Sequence, residues 1–102
     1  MIYKVRSKNL YKAIKLLLQS YGLKKSSAQK VSRNLVEADL CGQASHGVTR
    51  VPLYIGKVEK KEINVKAKTK IYNETSTTAQ VDGGWGFGQL SADKAIKLCI
   101  SK

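Results

Sequence analysis

Ser45, His46 and Gly47 stand in a row, Arg50 follows three places after the glycine, and Tyr54 lies four beyond the arginine. His46 is the only histidine in the chain. An imidazole gives or takes a proton near neutral pH. An arginine fork grips a carboxylate at two points. Gly47 removes bulk beside the ring and lets a substrate approach closely. If the stretch is helical, His46, Arg50 and Tyr54 each turn only about 40° from the last. One stripe then carries an acid/base group, a fixed cation and a phenol. A 2-hydroxy or 2-keto acid, with its carboxylate next to a reacting oxygen, would span that pair.

The spacing predicts that Ser45 is the N-cap, accepting from the amide of Gly47 or Val48. His46 would then sit in the first turn, where the helix dipole disfavours an imidazolium. The plainer alternative is a capping or partly buried histidine, with Arg50 paired to an acid such as Asp39. No acid stands at an orienting distance in sequence, so a Ser-His-Asp triad is not indicated.

The elements around this stretch are mostly helical. Ile2 to Val5 alternates weakly, as a short edge strand would. Ser7 is placed to cap a helix whose apolar stripe is Leu10, Ile14, Leu17, Leu18 and Tyr21. Gly22 ends it as a left-handed cap, with Leu23 folding back. Ser26 and Gln29 fit a capping box for a second helix. Its buried side is Ala28, Val31, Leu35 and Ala38, with Val36 at the border, and Gly42 follows its end near Leu40. A third helix is expected from about Ser45 to Lys60, burying Val48, Val51, Ile55 and Val58. Pro52 cannot donate to the carbonyl of Val48, so that helix must kink or begin properly only near Thr49.

After Ile63 the texture changes to Thr, Val and Ile, which reads as one strand or two, over 69–73 and 77–82. The stretch "DGGWGFG" at 82–88 breaks it, and Ala92, Ala95, Ile96, Cys99 and Ile100 restart helical spacing. The glycines favour a structural turn over a phosphate cradle, because the third spacing of the dinucleotide fingerprint is missing. Trp85 and Phe87 are expected as apolar plugs between the two regions, or as exposed residues. A strand and helix with no following parallel strand suggest the N-terminal part of a longer protein.

Nineteen Lys plus Arg against seven Asp plus Glu give a formal charge of +12 over 102 residues. The arginines are only Arg6, Arg33 and Arg50, and the lysines are scattered. That pattern favours a solvated lysine surface over a nucleic-acid footprint. A small basic helical module that binds nucleic acid or another acidic partner stays open as the second reading. Cys41 and Cys99 stand far apart with no C-x-x-C, which points to reduced thiols, a cytoplasmic chain and no metal site. The opening has no secretory h-region, and no apolar run approaches membrane-spanning length.

The stretch "ADLCGQASHGVTRVPLYI" at 38–55 resembles the signature of the malate/L-lactate dehydrogenase family that lacks a Rossmann fold. The matching residues are Ala38, Asp39, Leu40, Gly42, Ser45, His46, Gly47, Arg50, Pro52 and Tyr54. "VDGGWGFGQLSADKAI" is similar to a later segment of the same family. The resemblance implies an α+β fold: a three-helix orthogonal bundle over 1–66, then, over 67–102, the start of a non-Rossmann α/β cofactor domain of strand, Gly-rich turn and helix. It implies an oxidoreductase that interconverts 2-hydroxy and 2-keto acids with NAD or NADP, usually as a homodimer. By position, His46 would be catalytic, and Ser45, Arg50 and Tyr54 would bind substrate; cofactor-binding residues are not identified. Cys41, Lys61 and Val65 depart from the family's usual arginine, glycine and proline. Members are several times longer, so the chain alone is expected to be inactive.

Overall fold

The computed structural model describes residues 3–102. Helix α1 spans Ser7–Ser20, α2 Lys25–Leu40 and α3 Val51–Glu59; strands β1 (Lys70–Tyr72) and β2 (Gln80–Asp82) precede helix α4 (Gly88–Ser101). The chain is thus mostly helical with one small sheet. β1 and β2 pair antiparallel, with Ile71 opposite Val81. The reading of 69–73 and 77–82 as one strand or two resolves into two shorter strands of a hairpin.

α1 and α2 pack on each other through the predicted stripes. Ile14, Leu18 and Leu23 from the first helix and its turn meet Ala28, Val31, Leu35 and Val36 of α2, all buried. Val51 and Phe87 complete the core. Each large apolar side chain removed from water this way stabilises by roughly 1.5–3 kcal/mol. Leu17 and Ala38 lie at the margin instead, partly exposed.

Three helices end in the same way. Gly22 at φ +104°, Gly42 at φ +80° and Lys61 at φ +62° each adopt the left-handed conformation just past the helix. In each, the next residue's amide bonds back five residues: Leu23 to Leu18 at 3.1 Å, Gln43 to Ala38 at 2.8 Å, Glu62 to Lys57 at 2.9 Å. These endings reverse the chain sharply enough to stack the helices.

The starts of the helices differ from expectation. Arg6 and Lys24 are the residues at the N-cap positions of α1 and α2, and neither helix has a side-chain cap. Ser7 is the first helical residue, and the Ser26–Gln29 capping box does not form. Both starts are exposed, so water can serve the free amides. The expected strand at Ile2–Val5 falls partly outside the described residues; Tyr3–Val5 is not a strand.

The third helix is not continuous from Ser45. Two short 3-10 turns, Ala44–His46 and Val48–Arg50, precede α3. Pro52 sits in the first turn of α3, where its missing N–H is not needed. On α4, by contrast, no residue is fully buried, and Ile96 and Ile100 remain 56% and 79% exposed. Phe87 is 3% exposed while Trp85 is 86% exposed, so the two aromatics of the glycine stretch part company.

Candidate active site

The ending of α2 delivers the chain into the turn Ala44–His46. Asp39, on the last turn of α2, then reaches forward: its Oδ2 accepts the Val48 N–H at 2.9 Å. A Cβ on Gly47 would lie 2.0 Å from Asp39 Oδ1, so no larger residue fits there without moving the carboxylate. Gly47 itself is extended, at φ −95° and ψ −149°. It separates the two turns, and the stripe of His46, Arg50 and Tyr54 on one helix does not exist. Ser45 is not a cap either, because Asp39 takes the amide that Ser45 was expected to bind. His46 ends its turn rather than beginning an α-helix, so the helix-dipole argument for it falls away.

The residues are nevertheless brought together by other contacts. Ser45 Oγ lies 2.9 Å from His46 Nδ1. Arg50 Nε donates to the Ser45 carbonyl at 2.7 Å, and Thr49 Oγ1 donates to the Ala44 carbonyl at 3.0 Å. With Nδ1 engaged, Nε2 is the free nitrogen of the imidazole. Neither it nor the terminal guanidinium nitrogens of Arg50 has a hydrogen-bond partner among the described residues. Ser45 and His46 are exposed and Arg50 is half-buried. Arg50 does not pair with Asp39, contrary to the plainer alternative.

Tyr54 faces a different neighbourhood. Its ring meets Phe87 edge-on at 5.5 Å between centroids, and its hydroxyl accepts from Gln89 Nε2 at 3.1 Å. It therefore fastens α3 to the start of α4. Sequence reasoning missed Gln89, and it named Asp39 as a signature residue and an alternative partner for Arg50, not as the acceptor of the Val48 amide. A signal for Asp39 was present: an acid at a helix end, with a glycine just before an amide that needs an acceptor.

The glycine stretch uses its own donors. The Gly84 N–H goes to Asp82 Oδ1 at 2.8 Å and the Gly86 N–H to the Gly83 carbonyl at 3.1 Å. A Cβ on Gly86 would meet Ala67 Cβ at 2.9 Å. The loop is a turn packed on the linker after α3, and two amides that a phosphate would need are already spent. A cleft of about 760 Å³ opens beside it, between residues 61–66 and Trp85; none of Ser45, His46, Arg50 or Tyr54 lines it. Among the described residues no cluster of His, Cys, Asp and Glu is arranged to hold a metal. No described helix is long and apolar enough to cross a membrane.

A family model for malate/L-lactate dehydrogenase matches residues 5–102. The chain is 37% identical over 98 residues to L-sulfolactate dehydrogenase of Methanocaldococcus jannaschii, covering 96% of this chain and 28% of that one. It is 38% identical over 93 residues to a malate dehydrogenase of Pyrococcus abyssi, covering 91% and 26% respectively. The solved structure of malate dehydrogenase from Pyrococcus horikoshii superposes with a TM-score of 0.93 at 32% identity, over 97% of this chain and 28% of that one. The chain thus spans little more than a quarter of the length of these relatives. With the family model matching nearly every residue and the fold agreeing over the same span, the chain belongs to the malate/L-lactate dehydrogenase family.

Proposed function

We propose that this chain supplies the substrate-side portion of an enzyme that interconverts 2-hydroxy and 2-keto acids with NAD or NADP. The observation that carries the reading is the pair of contacts through Ser45. Its hydroxyl engages His46 Nδ1 and its carbonyl holds Arg50 Nε, so one residue ties an imidazole to a guanidinium. The two terminal nitrogens of Arg50 then take the carboxylate of the acid end-on. His46 Nε2 takes the proton of the 2-hydroxyl during oxidation and returns it to the keto oxygen during reduction. Ser45 holds the ring, and Tyr54 supports the site indirectly, by fastening α3 to the start of α4 through Phe87 and Gln89.

The nicotinamide cofactor would accept or supply the hydride. The glycine stretch fits that group poorly, since the amides of Gly84 and Gly86 are already bonded internally, so no cofactor contact is assigned to it. The division into a three-helix bundle over 1–66 and the start of a cofactor domain over 67–102 belongs to the same proposal. So do a homodimeric assembly and a cytoplasmic location.

The test is a chimera. The matching N-terminal portion of the Pyrococcus horikoshii malate dehydrogenase is replaced by residues 5–102 of this chain. Turnover of a small 2-keto acid with NADH or NADPH is expected. A folded chimera that turns over no 2-keto or 2-hydroxy acid would oppose the proposal.

A further inference from the structure

We propose that a lysine-lined groove between the start of α2 and the face of α4 binds a compact phosphate anion of two or more linked phosphoryl groups. The groove encloses about 580 Å³ and takes Lys24 and Lys30 from α2 and the residue before it, Lys68 from the linker, and Lys94 and Lys97 from α4. Asp93 is the only acid among the described residues that line it. That carboxylate is already shared, at 3.2 Å from Lys30 and 3.0 Å from Lys97. Lys94 gives its ammonium to the Thr69 carbonyl at 3.2 Å. Lys24 and Lys68 have no side-chain partner among the described residues.

Five ammonium groups around one carboxylate repel one another, and concave walls concentrate their field. A multivalent anion seated there relieves that repulsion. Each lysine ammonium is a compact point charge with three donors, and several of them together can serve the many oxygens of linked phosphoryl groups. The volume falls in the range of small-molecule sites, about 300–1,000 Å³. These lysines are far apart in sequence and converge from three segments, unlike the stripe expected of a nucleic-acid backbone footprint. The groove also lies away from Ser45, His46 and Arg50. Even Lys30, on the nearer side of the groove, is nine residues from Asp39 along α2, or about 13 Å at helical rise, and none of Ser45, His46 or Arg50 lines the groove. An anion in the groove is therefore not the substrate of the site above.

The test is a titration of the 102-residue chain with pyrophosphate at constant ionic strength, followed by amide NMR. Saturable shifts confined to the start of α2, Lys68–Thr69 and the face of α4 are expected. Lys24→Gln with Lys68→Gln should weaken binding about tenfold or more. Both residues are exposed, and an unchanged remainder of the spectrum verifies the fold. Lys8→Gln with Lys12→Gln, on α1, should leave affinity within about twofold. ADP binding as well as pyrophosphate supports recognition of the diphosphate alone; tighter ADP supports a nucleotide-borne diphosphate in the same groove. The proposal is overturned by no saturable shift, by equal affinity in the Lys24/Lys68 variant, or by shifts spread over α1 and the hairpin. Duplex DNA binding across the whole basic surface, with no pyrophosphate response in the groove, also overturns it.

Discussion

The carboxylate of Asp39 occupies the space a Gly47 side chain would fill, and the same carboxylate binds the amide of Val48 at 2.9 Å. One acid at the end of α2 thus fixes the turn on which Ser45 and His46 stand. Asp39→Ala removes a cap-like bond and should cost about 1–2 kcal/mol of stability. Gly47→Ala forces the carboxylate away and should cost about 1–3 kcal/mol. The two changes are coupled, because the clash needs Asp39. In the Asp39→Ala background, Gly47→Ala should cost clearly less than alone. Urea unfolding of the four proteins measures the cycle; additive costs would contradict the contact.

Lys61 takes the left-handed conformation that Gly22 and Gly42 take at the other two helix ends. A side chain in that region is strained by about 1 kcal/mol relative to glycine. Lys61→Gly should therefore raise stability, by up to about 1 kcal/mol, despite glycine's greater freedom when unfolded. A thermal melt that moves downward would show that α3 ends differently.

Ser32 is fully buried in α2 and its hydroxyl has no partner among the described residues. A buried hydroxyl left unpaired costs about 1–3 kcal/mol. Ser32→Ala removes that group, adds helix propensity, and should stabilise the chain by about 1 kcal/mol. A lower urea midpoint in the variant would mean the hydroxyl finds a partner in solution.

Two exposed pairs set the direction of pH dependence. Hydrogen bonds from Lys97, then from Lys30, hold the Asp93 carboxyl below its ordinary value of 3.8. Its contribution is present above that value and is lost as pH falls through the lower folded one. The hydrogen bond from Tyr21 to Glu59, and then the charge of Glu59, raise the phenol above its ordinary 10.0. That contribution is complete below 10.0 and is lost as pH rises through the higher folded value. Asp93→Asn should flatten the acid limb of stability against pH, and Tyr21→Phe the alkaline limb. Unfolding midpoints across a pH series check both, and unchanged limbs would contradict the pairs.

The first two helices were legible in the sequence because their apolar stripes and the glycines at 22 and 42 act locally. Their starts were not, since Ser7 and Ser26 lie at exposed positions where water competes with a side-chain cap. The break before α3 was half legible. Pro52 announced that a helix from Ser45 must kink or begin properly only near Thr49, but the place of the break is set by Asp39 reaching nine residues ahead. Spacing rules do not carry such a bond. The pairing of Ser45, His46 and Arg50 was therefore anticipated for the wrong reason: the side chains meet through Ser45, not along a helical stripe. Tyr54 was placed on that stripe, yet its contacts with Phe87 and Gln89 depend on a segment more than thirty residues later. The convergence of Lys24, Lys68 and Lys97 was likewise invisible, because only the packing of α2 on α4 brings them together.

The most direct measurement is the turnover of the chimera carrying His46→Ala, with Arg50→Lys alongside. If the imidazole moves the proton and the guanidinium holds the acid, His46→Ala lowers kcat by about 10²–10⁴ while the chimera stays folded. Arg50→Lys then raises KM for the acid, because the fork is lost. A folded His46→Ala chimera with kcat within a few-fold of its parent would contradict the account.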